Sequence, residues 1–371
     1  MQGVSLFIGV KTSSSKDWAT VYHCDIWGLR EQKLQRLKAG DLDFTELKPN
    51  SKMAYFIPIS SEDDIIYETG ISVVDLFSVY VSGIQTNNDD AAVTATRDEL
   101  VKRINIVKNA TSDKPICDLW KKFSRGQTAE SIQNDVLSSG GEITLLSYRP
   151  FDKRWTFYSG NSCGWMLWPR EKKTIGLLQE PTTPIGKNIG LVFARTAPIA
   201  YDYAMVFIAD TIIDQSALST LSSTYGYIAP LYLHNDNGVG DEWTPNFVPD
   251  SLAMLAEHMS EKPKPIEIFD YIYGVLYNPV YRERFNEFLK RDFPRVPVIN
   301  NETDKDNPDS FYISEDMLRA YVEAGERLRK LHLMQIKTPA QLIIEPNTSE
   351  DMEIGSVKYK DGDLQLNSNK K

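Results

Sequence analysis

The chain has 371 residues, 42% of them hydrophobic and 25% charged, which is ordinary for a globular protein and too long for one average domain. A formal net charge of -10 argues against indiscriminate nucleic-acid binding, which draws its affinity from neutralised phosphates. No apolar run approaches the roughly 20 residues of a spanning helix, so no membrane partner is expected.

Residues 4–10 and 19–27 read as two strands joined by a polar, serine-rich loop, with no signal peptide ahead of them. A start this close to a buried-looking strand suggests an excerpt from a longer chain. Cys24, Cys117 and Cys163 are scattered, and His23, His234, His258 and His332 have no metal-ligand spacing, so a reduced, cytoplasmic protein without a disulfide framework or zinc site is expected. Residues 47–59 read as a linker with a short strand. Three helices follow. Thr96 and Glu99 form a capping box ahead of an apolar stripe of Leu100, Val101, Ile104 and Val107. Asp113 and Pro115 open a second helix that runs to Phe123, and residues 127–137 form a third, stopped by Gly140 and Gly141.

Past Gly141 the pattern turns to strands, at 143–148, 151–158, 189–195, 205–213 and 225–233, several apolar on both faces. The first two enclose Tyr-Arg-Pro-Phe-Asp-Lys-Arg-Trp-Thr-Phe-Tyr, residues 148–158. Alternation from Phe151 puts Phe151, Lys153, Trp155 and Phe157 on one face and Asp152, Arg154, Thr156 and Tyr158 on the other. Within this otherwise acidic chain, Arg149, Lys153, Arg154, Arg170, Lys172 and Lys173 face only Asp152 and Glu171 between positions 149 and 173. Such residues on a sheet suit phosphates and base edges. On composition alone, a core of aromatics with Asp152 and Arg154 paired beside each other suits them better. Helices return, one lined by Ile266, Phe269, Tyr273 and Leu276, one capped by Asn278 with Pro279 at its first position, and a longer one from Ser314 to His332. Residues 300–309 are acidic, and residues 357–366 alternate around Asp361 and Gly362 as a hairpin.

Residues 148–158 resemble the signature of the recognition region of type ISP restriction–modification enzymes. These are single-chain proteins carrying nuclease, helicase-type motor, adenine methyltransferase and recognition region. The long run at 268–297, beginning Ile-Phe-Asp-Tyr-Ile-Tyr-Gly-Val-Leu-Tyr-Asn-Pro-Val-Tyr, agrees, as do residues 208–233 and 2–37. The resemblance implies an α+β fold: a mixed sheet flanked by helices in the recognition domain (141–345), after the end of a methyltransferase-like sheet (1–45) and a linker with helical spacer (46–140), and before a C-terminal hairpin and tail (346–371). It implies sequence-specific recognition of double-stranded DNA, with other domains of the parent enzyme as partners. S-adenosylmethionine, ATP and magnesium would belong to that parent, not to this fragment.

By residue type and placement, Arg149, Lys153, Arg154, Arg170, Lys172 and Lys173 are candidates for backbone positioning. Trp155, Tyr158, Asn161 and Ser162 are candidates for base or sugar contacts, and Arg195 for reading guanine. Three chemical motifs are weaker. Asn278-Pro279-Val280-Tyr281 resembles the base-gripping motif of adenine methyltransferases but reads better as a helix cap. Gly186-Lys187-Asn188 is an incomplete phosphate loop. Asp152 with Glu171, Lys172 and Lys173 would imitate a magnesium-dependent nuclease. Alternative readings are therefore a divergent methyltransferase or nuclease, and a protein-interaction module docking through its acidic surface and the 314–332 helix.

Overall fold

Helix boundaries follow the local capping chemistry. The Thr96 side chain accepts the Glu99 amide and opens the helix Arg97–Lys108, which buries Leu100 and Val107. Thr128 and Ser131 bond each other's amides at the start of Ala129–Leu137, and Ser314 accepts the Met317 amide ahead of Glu315–His332. The second helix of the first group is shorter than its pattern predicts. Lys114–Trp120 ends because Lys121 takes φ 49, which turns residues 121–126 into an exposed loop.

These features come from a computed structural model, which describes residues 5–11, 19–47, 56, 58, 61–171, 174–179, 183–198, 202–221, 224–235, 242–256, 259–299, 312–336, 357–360 and 363–366. Lys172, Lys173, His258, the acidic segment 300–309 and the Asp361-Gly362 turn lie outside them. The chain divides into two compact units, Met1–Leu333 and Met334–Lys371. In the second, Val357–Lys360 pairs antiparallel with Asp363–Leu366, the hairpin that the alternation predicts.

The first unit is α+β, built on two four-stranded sheets. One is mixed. Its order is Ile212–Ile213, Glu142–Arg149, Asp152–Tyr158 and Val93–Thr94, with the first pair parallel and the rest antiparallel. The other is antiparallel, in the order Val81–Ser82, Gly226–Pro230, Gly190–Ala194 and Val206–Ala209. The expected strand 205–213 is thus two strands in different sheets. The chain changes sheet at Asp210 and Thr211, where the Thr211 and Ser147 hydroxyls meet at 2.7 Å in the interior.

The first unit has two cores, and the antiparallel sheet contributes to both: Val192, Ala209 and Ile228 to one, Leu191, Phe193 and Ile208 to the other. The helices Arg97–Lys108, Lys114–Trp120 and Ala129–Leu137 contribute Leu100, Trp120 and Ile132 to the first, built with Leu146, Phe157 and Trp165. In the second lies Pro265–Tyr277, buried along every residue from Ile268 to Leu276. Its neighbour Glu315–His332 is amphipathic and covers it.

Two expectations change. Val93–Thr94 and Val81–Ser82 lie in the stretch read as linker and spacer, yet each is an edge strand of a main sheet. Strands of two residues are too short for a period-two pattern to reveal. The N-terminal strand pair also differs: residues 5–11 carry no strand, and Leu6, Phe7, Ile8 and Val10 are exposed. Val21–His23 instead pairs with Thr45–Leu47. An apolar run becomes a strand only where a partner edge receives its amides and carbonyls.

Candidate nucleic-acid interface

The hairpin of Glu142–Arg149 and Asp152–Tyr158 turns at Pro150 and Phe151. Phe151 has φ 62, uncommon for a residue with a side chain, and its ring is held edge-on by Phe207 at 5.1 Å and His332 at 5.5 Å. The register shifts between Ser147 and Arg149, so Tyr148 bulges from the ladder. Its ring meets two guanidinium groups, Arg149 at 3.9 Å and Arg154 at 4.1 Å from the centroid. The hydroxyl donates to Asp89 Oδ2 at 2.8 Å. Burial, then the Asp89 carboxylate, pushes the phenol up to about 12.

Each hairpin cation already has a carboxylate. Arg149 Nη1 lies 2.9 Å from Asp214 Oδ1, and Lys153 Nζ 2.6 Å from Asp210, which also takes Lys187 at 3.4 Å. Arg154 Nε reaches both oxygens of Asp152 at 3.0 and 3.1 Å, the local pairing that the alternation allowed. Burial alone would raise the Asp210 carboxyl, but Lys153 and Lys187 hold it below its ordinary value. For Asp214 the balance falls the other way. Burial and the charge of Asp89 push it up to about 6, against the Ser216 amide and Arg149.

The remaining candidates separate. Tyr158 is fully buried, so its place as a base or sugar contact is withdrawn: the end of its strand is covered on both faces, with Thr156, Phe157 and Tyr158 all inside. Trp155 is half-buried against the core of the mixed sheet. Asn161 is exposed but gives its amide to Asp135 at 2.9 Å. Arg195 follows a strand of the other sheet and pairs with Asp292 at 3.2 Å. Arg170, at φ 66, donates Nε to the Gly83 carbonyl at 3.0 Å. Arg170 and Ser162 come together with Tyr80, Trp168 and Glu171 around a cleft of about 550 Å³. Sequence reasoning did not single out Tyr80, which lies in a stretch with little periodicity, or Trp168 as contact residues.

Among the described residues none of the weaker motifs forms a chemical centre. The Asn278 side-chain oxygen caps Pro279–Arg284 by accepting the Val280 and Tyr281 amides, and its amide donates to the Tyr321 hydroxyl at 2.7 Å, so it does not fit a base-gripping role. Asn188 is buried and bonds Tyr232 and Leu177 carbonyls, while Lys187 faces Asp210, an arrangement that does not fit ATP phosphates. Asp152 is engaged by Arg154, and among the described residues no group of three His, Cys, Asp or Glu is placed to hold a metal ion.

Residues 75–371 match the family described as the type ISP C-terminal specificity domain. The chain belongs to this family. No curated protein matches it. Its fold is shared with solved type ISP structures and one further DNA complex. A DrdV–DNA complex aligns with TM-score 0.57 and 20% identity over 87% of this chain. A nuclease-deletion mutant of the type ISP enzyme LlaGI with a DNA substrate mimic aligns with TM-score 0.57 and 19% identity over 91%. The ATP-dependent type ISP enzyme LlaBIII bound to DNA aligns with TM-score 0.55 and 18% identity over 85%. This type ISP specificity chain spans only 32%, 31% and 20% of the length of those three proteins.

Proposed function

We propose that this chain recognises the DNA target of a restriction–modification enzyme and positions the duplex for adenine methylation and cleavage carried out by other domains. The match to a specificity-domain family across residues 75–371 carries this reading. The fold shared with proteins solved on DNA supports it. In this reading S-adenosylmethionine, ATP and magnesium serve the rest of the parent enzyme, and the protein works in the cytoplasm. No described helix is long and apolar enough to cross a membrane.

Arg149, Lys153, Arg154 and Arg195 hold carboxylates in the free chain, so a phosphate contact there exchanges one anion for another. Arg170, Lys172 and Lys173 remain candidates for phosphates, and Trp155, Asn161 and Ser162 for sugar or base edges. Selection from a random duplex library, with both the chain and its parent enzyme, tests the function. One enriched sequence, shared with the site the parent methylates, is the expected outcome. Binding without any sequence preference would overturn it.

A further inference from the structure

Trp168 is shared by two clefts. The first is the one that holds Arg170. The second, about 1000 Å³, is also lined by Trp168 and is bounded by the 121–126 loop and by Asn87 and Asn88. Trp168 is 46% exposed although the residues before it, Trp165 to Leu167, are buried. Its backbone is fixed: the Trp168 amide donates to the Gln85 carbonyl at 2.9 Å, and the Gln85 amide returns a bond of 2.9 Å. An exposed indole on an immobilised backbone gives up little freedom when it is bound.

The cations of the second cleft differ from those of the hairpin. Lys121, Lys122 and Arg125 are exposed, and among the described residues none of their charged groups has an ion-pair or hydrogen-bond partner. Among the described residues Asp90 is the acidic residue lining that cleft, and Glu171 lines the other beside Arg170. The loop carrying the three cations is nonetheless built. Asn88 Nδ2 donates to the Trp120 and Lys122 carbonyls, Asn87 Nδ2 to Ser124 Oγ, and Gln127 accepts the Ser124 amide at 3.2 Å. Asn87, Lys121, Cys163 and Arg170, all around these clefts, have positive φ. Surrounding bonds hold loops in such conformations, and strained loops of this kind concentrate at binding sites.

We infer that duplex DNA is held at this ridge, with Lys121, Lys122 and Arg125 on backbone phosphates and Trp168 as the aromatic wedge at the groove. This rests on the DNA-recognition reading and names its contact surface. Charge decides the partner. In a chain with net charge -10, three unpaired cations beside an exposed indole on a preformed rim complement a polyanion carrying stacked rings. The hairpin cations, each already neutralised, are the poorer source of phosphate affinity.

The test uses the full chain with the duplex enriched by selection, titrated at several salt concentrations. The triple variant K121A/K122A/R125A should flatten the slope of log affinity against log salt by about 0.9 for each phosphate that is no longer neutralised, so by about 2–3 in all. Trp168→Ala should weaken binding by roughly fivefold to a hundredfold, and Trp168→Phe should restore most of it. Lys121, Lys122 and Arg125 are exposed and have no ion-pair or hydrogen-bond partner among the described residues, so the melting temperature of the triple variant should not move. If the unaltered chain binds no duplex, the DNA-recognition reading itself fails. If it binds, and the triple and Trp168 variants keep its affinity and salt slope while R149A/R154A loses them, the ridge is overturned and the hairpin is the contact face.

Discussion

Arg329 donates two hydrogen bonds to Asp270, Nε to Oδ1 at 2.6 Å and Nη2 to Oδ2 at 2.9 Å, across the interface between Pro265–Tyr277 and Glu315–His332. The Asp270 and Arg329 side chains are 3% and 12% exposed, so water screens the pair little. Burial raises the Asp270 carboxyl from its ordinary value, and Arg329 opposes that rise. Removing only the cation strands a buried carboxylate. Arg329→Met should cost about 3–5 kcal/mol in urea unfolding, and Asp270→Leu with Arg329→Met should recover most of the loss. A double variant as unstable as Arg329→Met would show that packing, not the stranded charge, sets the cost.

The same helices touch through glycine. A Cβ built on Gly325 would lie 1.9 Å from the Asp270 carbonyl oxygen, and one on Gly274 would lie 2.4 Å from that of Tyr321. Glycine to alanine in a helix normally stabilises by up to about 1 kcal/mol. Here the sign should reverse, because backbone cannot move aside as a side-chain end can. Gly325→Ala should destabilise by at least about 1–3 kcal/mol, read from the urea midpoint. An unchanged or raised midpoint would mean that the helices separate freely.

Helix caps and long strands were legible because their chemistry is local. Thr96, Ser314 and Asn278 each accept the amides that their positions predict, and the 148–158 signature forms the expected hairpin strand. Pairing across distance was not legible. Nothing near Val93 indicates that it meets Thr156, and nothing near Arg149 indicates Asp214. The ridge escaped for a related reason. Residues 114–123 carry helix signals throughout, but Asn88, 32 positions upstream of Trp120, donates to the Trp120 carbonyl and helps shape the loop that follows. The alternation in the signature also begins one residue late, because Phe151 belongs to the turn and not to the strand.

Asn278 offers a compact test of a motif against its surroundings. Its side-chain oxygen accepts the Val280 and Tyr281 amides, and its nitrogen serves Tyr321. Asn278→Ala should lose about 1–2 kcal/mol in urea unfolding, as cap removal does. Asn278→Asp keeps the acceptor and should retain most of the stability. Equal losses in the two variants would shift the weight from the cap to the Tyr321 bond.

Asp214 makes stability depend on pH in a direction opposite to that of an ordinary salt-bridged carboxylate. Its folded value is pushed up to about 6 by burial and by Asp89, while the unfolded chain titrates at an ordinary 3.8. Between these values the native state holds the proton that the unfolded state has released. Its contribution to stability is therefore fully present below the unfolded value and is lost as pH rises through the folded one. The loss is up to about 3 kcal/mol, at about 1.36 kcal/mol for each pH unit of the window. Asp214→Asn keeps the oxygen that accepts from Arg149 and from the Ser216 amide, and removes the titration. Relative to the natural chain, that variant should gain stability between about pH 4 and 6 and hold the gain above. Thermal unfolding of both proteins across that range measures the difference. A flat difference, or a loss at neutral pH, would mean that Arg149 keeps Asp214 ionised across the whole range and that the ion pair outweighs its burial.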